Sequence, residues 1–271
     1  MSPISLKIAI LDCDTPVPNV HSKFGKYSDI FVALLKDASV LTDGLPELDL
    51  NFSIYDSVLG RVPSDKDLKN IDGIIMTGSS ASGYDEAPWI ITLSDYIRNL
   101  YTNHPSIKIF GSCFGHQMLC GALFSTPTHP VVTKDPAGWE LGVHSIKLSS
   151  AFLSQYGPVT SNPITTSELR LQFVHADHVV HPITHEMWVK EGWESIGRSA
   201  HCGLQGVWKK GRVLTYQGHA EFSRFVNAET LKVFGGRIWT SEFMENALAK
   251  VDQDDDAMWA AGVMLKFFLE E

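Results

Sequence analysis

The fold is decided by the stretch Phe110-Gly111-Ser112-Cys113-Phe114-Gly115-His116-Gln117, which has the pattern of a sharp turn between a strand and a helix. Residues 106–110 alternate like a short buried strand, and residues 116–124 carry apolar side chains at helical spacing. Gly111 and Gly115 flank the cysteine where a tight turn crowds backbone against backbone, and residues without a side chain relieve that crowding. A helix beginning just after Cys113 would direct free N–H groups at the sulfur and favour its reactive thiolate form. The pattern predicts a nucleophile on a strand-to-helix turn; the alternative is a cysteine packed in the core.

Composition and charge narrow the class of protein. The chain has 271 residues, of which 44% are hydrophobic and 20% charged, as in ordinary soluble globular proteins. The formal charge of −9 has no basic block to offset it. Nucleic acids and anionic membranes bind surfaces with clustered Lys and Arg, so we expect neither as a partner. The oligomeric state is left open by the sequence.

Cysteine usage and the N-terminus indicate the compartment. Four cysteines show no framework spacing and no CxxC pair, which favours a reducing environment. Residues 1–10 run directly into Asp12 and Asp14, without the apolar run and cleavage site of a signal peptide. No segment reaches transmembrane length. We therefore expect a cytoplasmic protein, and a nuclear share is compatible with this.

The order of elements predicts an α/β protein with an open, mainly parallel sheet flanked by helices. Residues 7–11 form an apolar run typical of a strand buried on both faces, and residues 51–55 and 71–77 are two further strands. Helices are expected over residues 23–38 and 88–102. Short segments then predict a smaller antiparallel extension, and the turn 209–211 predicts a hairpin. The extension comprises residues 131–132, 141–148, 169–174, 194–196, 203–208 and 212–216.

Helices close the chain. Three helical stretches follow residue 222, and the last, residues 256–270, is expected to dock on the sheet rather than bind a partner. We expect one domain over residues 1–271, with a core of about residues 5–225 and a C-terminal helical extension of about residues 226–271.

The serine-rich loop after the third strand is expected to lie beside the cysteine. Carboxyl ends of neighbouring parallel strands share one edge of the sheet, so Gly78 and Ser79 would lie close to Cys113. The backbone amides of Ser79 and Phe114 would then form an oxyanion hole. The alternative for this loop is a plain connection.

A thiol nucleophile needs a base, and the base needs an orienting acceptor. His219 ends a predicted strand, and Glu221 lies two residues later, where side chains of an extended chain face the same way. One ring nitrogen would meet Cys113 and the other Glu221. A rival arrangement uses Asp177 as the acid, as in a Cys-His-Asp α/β-hydrolase acting on an ester or lactone.

The histidine-rich stretch 175–185 raises the alternative of a metal site. Its spacing matches no closed zinc pattern, and no paired cysteines accompany it. We expect neither a metal nor a cofactor.

Three separated motifs together resemble the class I glutamine amidotransferases, a family with a flavodoxin-like fold. They are Thr77-Gly-Ser-Ser80, Gly111-Ser-Cys-Phe-Gly-His-Gln117 and Gln217-Gly-His-Ala-Glu-Phe222. Residues 138–142 and 174–179 are similar to the stand-alone branch that resembles GMP synthetase and includes γ-glutamyl peptidases. One departure is Ala220, where the family usually has proline.

The resemblance implies a role for each matching position. Cys113 would be the nucleophile, His219 the general base and then acid, and Glu221 the residue that orients His219. Gly78, Ser79 and Phe114 would form the oxyanion hole. The remaining matches would bind the α-amino and carboxylate groups of a glutamyl moiety: Gln117, His175, Ala176 and Asp177.

The expected reaction is cleavage of a γ-glutamyl amide through a thioester. A γ-glutamyl peptide or conjugate is the favoured small-molecule substrate, again by resemblance. The alternatives are a glutaminase that delivers ammonia to a separate enzyme, the ester or lactone hydrolase, and a regulatory or binding protein that keeps the fold without turnover.

Overall fold

A seven-stranded sheet runs through the centre of the protein. The computed structural model describes residues 2–161, 164–180, 188, 190–236 and 238–270. In chain order the strands are β1 (Ile4–Asp12), β2 (Leu48–Asp56), β3 (Gly73–Met76), β4 (Lys108–Ser112), β5 (Val132–Lys134), β6 (Glu140–Leu148), β7 (Val159–Ser161), β8 (Ile164–Thr166), β9 (Glu168–His175), β10 (Asp177–Val179), β11 (Glu194–Ser195), β12 (Gly197–Arg198), β13 (Val207–Lys209) and β14 (Val213–Tyr216).

The helices cover both faces of this sheet. They are α1 (Pro18–Phe24), α2 (Tyr27–Leu41), α3 (Asp65–Leu68), α4 (Pro88–Asn103), α5 (Phe114–Phe124), α6 (Ser150–Tyr156), α7 (Arg224–Gly235), α8 (Ser241–Val251) and α9 (Ala257–Leu269). No helix in the described ranges combines the length and the apolar character needed to cross a membrane.

The central sheet has the order β11-β13-β14-β4-β3-β1-β2. The five strands from β14 to β2 are parallel, and β13 and β11 are added antiparallel at one edge. This confirms the predicted open, mainly parallel α/β sheet. Strands β3 and β14 are buried at every position, which explains why they read as continuous apolar runs.

Three segments of the predicted antiparallel extension belong to the central sheet instead, where residues 194–196, 203–208 and 212–216 supply β11, β13 and β14. β11 and β13 keep the expected antiparallel pairing, and on its β4 side β14 does not. Residues 212–216 were expected in the extension, but β14 pairs parallel with β4. The physical reason is burial, because all four residues of β14 are buried, whereas an antiparallel sheet commonly leaves one of its faces to solvent. The predicted hairpin turn at residues 209–211 is confirmed by the antiparallel pairing of β13 with β14.

The remaining short strands form the smaller antiparallel part. β12, β6 and β9 make a three-stranded sheet, while β5 pairs with β10 and β7 with β8. The expected strands at residues 141–148 and 169–174 are thus confirmed as β6 and β9. The turn from β9 to β10 falls at Ala176 and delivers residues 175–177 to the rim of the central sheet.

The single helix expected over residues 23–38 is wrong in its first part. Gly25 has a φ of +79° and ends α1, and a new helix begins at Tyr27. The Asp29 carboxylate accepts a hydrogen bond from the Lys26 amide at 2.8 Å and caps α2. Apolar periodicity continues across this break, so the pattern alone does not locate it.

The last helix docks as predicted. The core-facing side of α9 contributes Val263, Met264, Phe267 and Phe268 to the hydrophobic core. Phe268 packs directly on Gly73 in β3, where any side chain would collide with its ring. The helix is therefore part of the core and not a free docking element.

Candidate active site

Cys113 stands at the junction of β4 and α5. Its backbone has φ 49° and ψ −104°, and it is the one non-glycine residue with positive φ in the described ranges. A Cβ on Gly111 would lie 2.5 Å from the Gly115 carbonyl, and one on Gly115 would lie 2.5 Å from the Met76 carbonyl oxygen. Both predicted glycines are thus required by crowding. Cys113 is buried yet lines two cavities, unlike a cysteine enclosed in the core.

His219 and Glu221 form a buried pair beside this cysteine. Nδ1 of His219 lies 2.8 Å from Oε1 of Glu221, as the i, i+2 spacing predicts. The carboxylate also accepts a hydrogen bond from Ser112 Oγ, at 2.9 Å to Oε1. Within the described ranges Nε2 of His219 has no hydrogen-bond partner, so this nitrogen is available on the Cys113 side. A Cβ at Gly78 would lie 3.0 Å from His219 Cε1 and 3.8 Å from Cys113 Cβ.

The electrostatics of His219 favour its protonated form. Burial alone lowers its pKa, but the negative charges of Glu221 and Cys113, with the hydrogen bond to Glu221, raise the pKa to about 10. Phe222 stacks on the imidazole with 3.9 Å between ring centroids, and Tyr27 stacks on Phe222 at 5.8 Å. The ring is therefore held in place on one face by aromatic packing.

The amides predicted as an oxyanion hole lie beside Cys113. In the part of the chain that the structure describes, the N–H groups of Ser79 and Phe114 have no protein acceptor. Asp14 anchors the loop, because its Oδ2 accepts hydrogen bonds from the Ser80 amide at 2.8 Å and from Ser80 Oγ at 2.6 Å. Gly78 and Ser79 line the same small cavity as Cys113 and His219.

A larger cavity of about 220 Å³ opens on the other side of Cys113. All four residues predicted to bind substrate line it, together with residues that the sequence did not single out. The lining residues are Ser79, Ser80, Ala81, Ser82, Tyr84, Cys113, Gln117, Lys134, Trp139, Val174, His175, Ala176, Asp177 and Phe234.

The side chain of His175 is engaged within the protein. Its Nε2 lies 2.9 Å from Oε2 of Glu140, and its Nδ1 lies 2.8 Å from the Asp177 carbonyl oxygen. Burial alone raises the pKa of Glu140, but hydrogen bonds from His175, Ser199 and Gln205 lower it to about 2. His175 thus fixes the turn that presents Asp177 to the cavity.

The rival acid is wrong on geometric grounds. The Asp177 carboxylate accepts hydrogen bonds from Ser82 Oγ at 2.5 Å and Tyr84 Oη at 2.9 Å. The orienting nitrogen of His219 is bonded to Glu221 instead. The Cys-His-Asp arrangement of an ester or lactone hydrolase therefore does not form.

Gln217 and Ser112 lie within the quoted motifs and contact the catalytic residues, although sequence analysis assigned them no role. Gln217 is fully buried, and its Nε2 donates to Cys113 Sγ at 3.5 Å. Its Oε1 accepts from Gln117 Nε2 at 3.2 Å, which links the nucleophile to the larger cavity. Ser112 holds Glu221, as described above. The location of Gln217 and Ser112 inside the quoted motifs is the sequence feature that could have indicated their roles.

The described ranges contain no group of three or more His, Cys, Asp or Glu residues arranged to hold a metal ion. His178 Nδ1 lies 3.1 Å from the Asp135 carboxylate, and His175 is paired with Glu140. The histidines at positions 181 and 185 of the proposed metal stretch lie outside the described residues.

Comparisons with known proteins identify the family of the chain. No protein-family model matches the chain. A putative glutamine amidotransferase-like protein of Schizosaccharomyces pombe is 32% identical over 266 residues, which cover 97% of this chain and 98% of the relative. The chain belongs to the class I glutamine amidotransferase family. γ-Glutamyl peptidase 4 of Arabidopsis thaliana is 24% identical, over 86% of this chain and 82% of that protein.

The fold is shared with solved members of the family. A glutamine amidotransferase from Thermotoga maritima superposes with a TM-score of 0.64 at 16% identity, covering 97% of this chain and 96% of that chain. The predicted family and fold are confirmed. The relatives named here place the chain in a family of cysteine-dependent amide hydrolases and amidotransferases.

Proposed function

We propose that the protein cleaves γ-glutamyl amides, with Cys113 as nucleophile, His219 as proton carrier and Glu221 as the residue that orients His219. The observation that carries the proposal is a buried His219–Glu221 pair that lines one cavity with a cysteine held at positive φ. The raised pKa of His219 means that a protonated imidazole lies beside the sulfur at neutral pH, able to give a proton to a leaving nitrogen. This arrangement supports nucleophilic catalysis rather than a purely structural cysteine.

The chemistry divides into acylation and deacylation. The Cys113 thiolate attacks the γ-carbonyl carbon, and the amides of Ser79 and Phe114 hold the resulting oxyanion. The carbon–nitrogen bond then breaks as the His219 imidazolium gives its proton to the leaving nitrogen, which leaves a glutamyl thioester. Neutral His219 next takes a proton from water while the water oxygen attacks the thioester. The carbon–sulfur bond breaks, glutamate is released, and the thiolate and imidazolium are restored.

Charges on the cavity wall support a glutamyl substrate. Lys134 and Asp177 are directly opposite each other in the β5–β10 ladder, so their side chains share one face. Both line the larger cavity, and within the described ranges Lys134 has no ion-pair partner. An ammonium and a carboxylate on one wall complement the α-carboxylate and α-amino group of a glutamyl moiety. Lys134 is thus an additional substrate-binding residue in this proposal.

The test compares wild type with Cys113→Ser and with Cys120→Ser as the matched control. Cys120 is fully buried in the same helix, and burial raises the pKa of its thiol. Glutamate release from glutamine and from γ-glutamyl peptides is followed by liquid chromatography, and intact-mass spectrometry follows labelling by 6-diazo-5-oxo-norleucine. We expect both signals in wild type and Cys120→Ser and neither in Cys113→Ser. Equal labelling of Cys113→Ser, or no glutamate release by wild type either alone or with an ammonia-accepting enzyme, would contradict the proposal.

The same assay separates the expected roles in the cell. Turnover by the purified chain alone supports a stand-alone hydrolase. Glutamate release that requires an added ammonia-accepting enzyme supports a glutaminase subunit. Absence of both turnover and labelling supports a binding protein that keeps the fold.

A further inference from the structure

The two amides that the proposed mechanism uses for the oxyanion differ in how their peptide units are held. In a trans peptide unit the C=O and the N–H point in opposite directions, so a bond to the carbonyl oxygen fixes where the amide hydrogen points. The Phe114 amide shares its peptide unit with the Cys113 carbonyl, which accepts the helical hydrogen bond from the Gln117 amide at 3.0 Å. The first turn of α5 therefore orients the Phe114 amide.

The Ser79 amide lies in the loop after β3, outside any helix or strand. It shares its peptide unit with the Gly78 carbonyl, and a unit that follows glycine has unusual rotational freedom. The Gly78 carbonyl oxygen accepts a hydrogen bond from the Thr77 hydroxyl at 3.0 Å. Thr77 is fully buried and lines neither of the two cavities at Cys113. The carbonyl is thus turned away from the cavities, and the Ser79 amide points towards them.

The Thr77 hydroxyl is itself held from the end of β1. Its oxygen accepts a hydrogen bond from the Cys13 amide at 2.9 Å, and residue 13 follows directly after β1. The Thr77 amide donates to the Leu11 carbonyl oxygen at 3.2 Å, so the backbone is fixed from the same strand. A buried hydroxyl with both a donor and an acceptor in place is costly to displace. Thr77 therefore connects β1 with the peptide unit of the Ser79 amide.

Asp14, the next residue after Cys13, holds the other side of Ser79. Its Oδ2 accepts the hydrogen bonds from the Ser80 amide and hydroxyl described above, and its Oδ1 accepts one from the Thr15 amide at 2.7 Å. Bonds to a carboxylate are stronger than neutral ones. The peptide unit after Ser79 is therefore fixed as well, and Ser79 lies between two units that the segment following β1 holds in place.

We propose that Thr77 and Asp14 are positioning residues that hold the Ser79 amide in the orientation that stabilises the oxyanion. Both act through backbone atoms of the loop, and neither lines a cavity at Cys113. The inference rests on the proposed cleavage of γ-glutamyl amides and adds the residues on which its oxyanion step depends.

The main variant is Thr77→Val, which keeps the shape of the side chain and removes the hydroxyl. Thr77→Ser keeps the hydroxyl and tests rescue. Asp14→Ala tests the second anchor at a half-buried position. Thr92→Val is the matched control: the exposed Thr92 hydroxyl also donates to a backbone carbonyl, that of Pro88 at 2.8 Å, and lines neither cavity. Circular dichroism and thermal unfolding establish that each variant is folded.

Two rates are compared in each protein. The first is glutamate release from glutamine and from γ-glutamyl p-nitroanilide, which passes through an oxyanion. The second is alkylation of Cys113 by iodoacetamide, followed by peptide mass spectrometry. In this alkylation the thiolate sulfur forms a bond to the methylene carbon as iodide leaves, so no oxyanion arises. A residue that serves the oxyanion alone should change the first rate and leave the second as it is.

Thr77→Val should lower kcat by about 10- to 100-fold, which is less than the roughly 100- to 1,000-fold cost of deleting an oxyanion donor, because the Ser79 amide is displaced and not lost. Its KM and its alkylation rate should stay at the wild-type level. Thr77→Ser should recover most of the lost kcat. Asp14→Ala should lower kcat with a wild-type rate of alkylation, and Thr92→Val should behave as wild type.

Wild-type kcat in folded Thr77→Val would overturn the inference and leave the proposed function standing. Equal losses of kcat and of alkylation rate would also overturn it, since the variant would then act on the sulfur. If Thr77→Val does not fold, Asp14→Ala decides by the same two criteria. If wild type releases no glutamate from either amide, alone or with an ammonia-accepting enzyme, the proposed function fails and the inference fails with it.

Discussion

Replacing Gly78 by alanine adds one methyl group next to His219 and so tests whether the position of His219 matters for catalysis. An added Cβ lies 3.0 Å from His219 Cε1, and ordinary van der Waals contact begins at 3.4 Å. The imidazole or the loop that carries residue 78 must therefore move by about 0.4 Å in Gly78→Ala. A displacement of 1 Å at a reacting group can cost about 100-fold in rate, so we expect kcat to fall by roughly 10- to 100-fold. Gly78 does not line the larger cavity, and KM should change little.

The assay is steady-state release of glutamate from glutamine. Gly203→Ala is the matched control, because a Cβ at Gly203 meets nothing within 4 Å. It should keep wild-type kcat and KM. A folded Gly78→Ala protein with wild-type kcat would refute the argument that His219 acts from its position against Gly78. A rise in KM at unchanged kcat would show instead that the loop serves binding.

The remaining predictions concern the charges around the nucleophile. Glu221→Gln should lower kcat by about 100- to 10,000-fold, since His219 loses its orienting charge. The raised pKa of His219 means that its protonation stabilises the fold fully below pH 6.5, and that this stabilisation is lost as pH rises through about 10. Melting temperature should therefore fall less steeply across that range in Glu221→Gln than in wild type. Ser112→Ala removes hydrogen bonds of 2.9 and 3.2 Å to Glu221 and should lower kcat by about 10- to 100-fold. Lys134→Gln should raise KM for glutamine by about tenfold at unchanged kcat.

Each of these has an outcome that contradicts it. If the melting temperature of Glu221→Gln depends on pH as it does in wild type, the His219–Glu221 pair is not the source of that dependence. Normal kcat in Ser112→Ala would mean that Glu221 is held well enough without the hydroxyl. Lys210→Gln, an exposed turn lysine that lines neither cavity, is the control for Lys134→Gln, and equal KM values for the two variants would contradict the binding role.

Features that depend on local spacing were predictable from the sequence. The glycines around Cys113 follow from crowding at a tight turn, and the contact of His219 with Glu221 follows from the two-residue repeat of extended chain. The placement of Ser79 beside Cys113 follows from the shared edge of parallel strands. In each case a backbone rule fixes where the side chain goes.

Features that depend on packing between distant segments were not predictable. β14 was assigned to the extension because a short apolar strand carries no mark of its neighbours. Lys134 and Phe234 reach the site through β5 and α7, and their own sequence surroundings resemble ordinary strand and helix surfaces. The break between α1 and α2 at Gly25 is not predictable from the apolar pattern, because helical periodicity continues across it. Contacts between distant segments determine where such residues lie, and a single sequence does not reveal those contacts.

The backbone of Cys113 carries a lasting evolutionary constraint. A side chain held at φ 49° costs roughly 1–3 kcal/mol relative to a relaxed conformation. Glycine at this position would recover part of that stability at once, and a typical domain has only about 5–15 kcal/mol in total. A descendant that no longer needs catalysis would gain stability if glycine replaced Cys113. We therefore expect relatives that have lost catalysis to lose cysteine at position 113, and relatives that still use its sulfur to keep it.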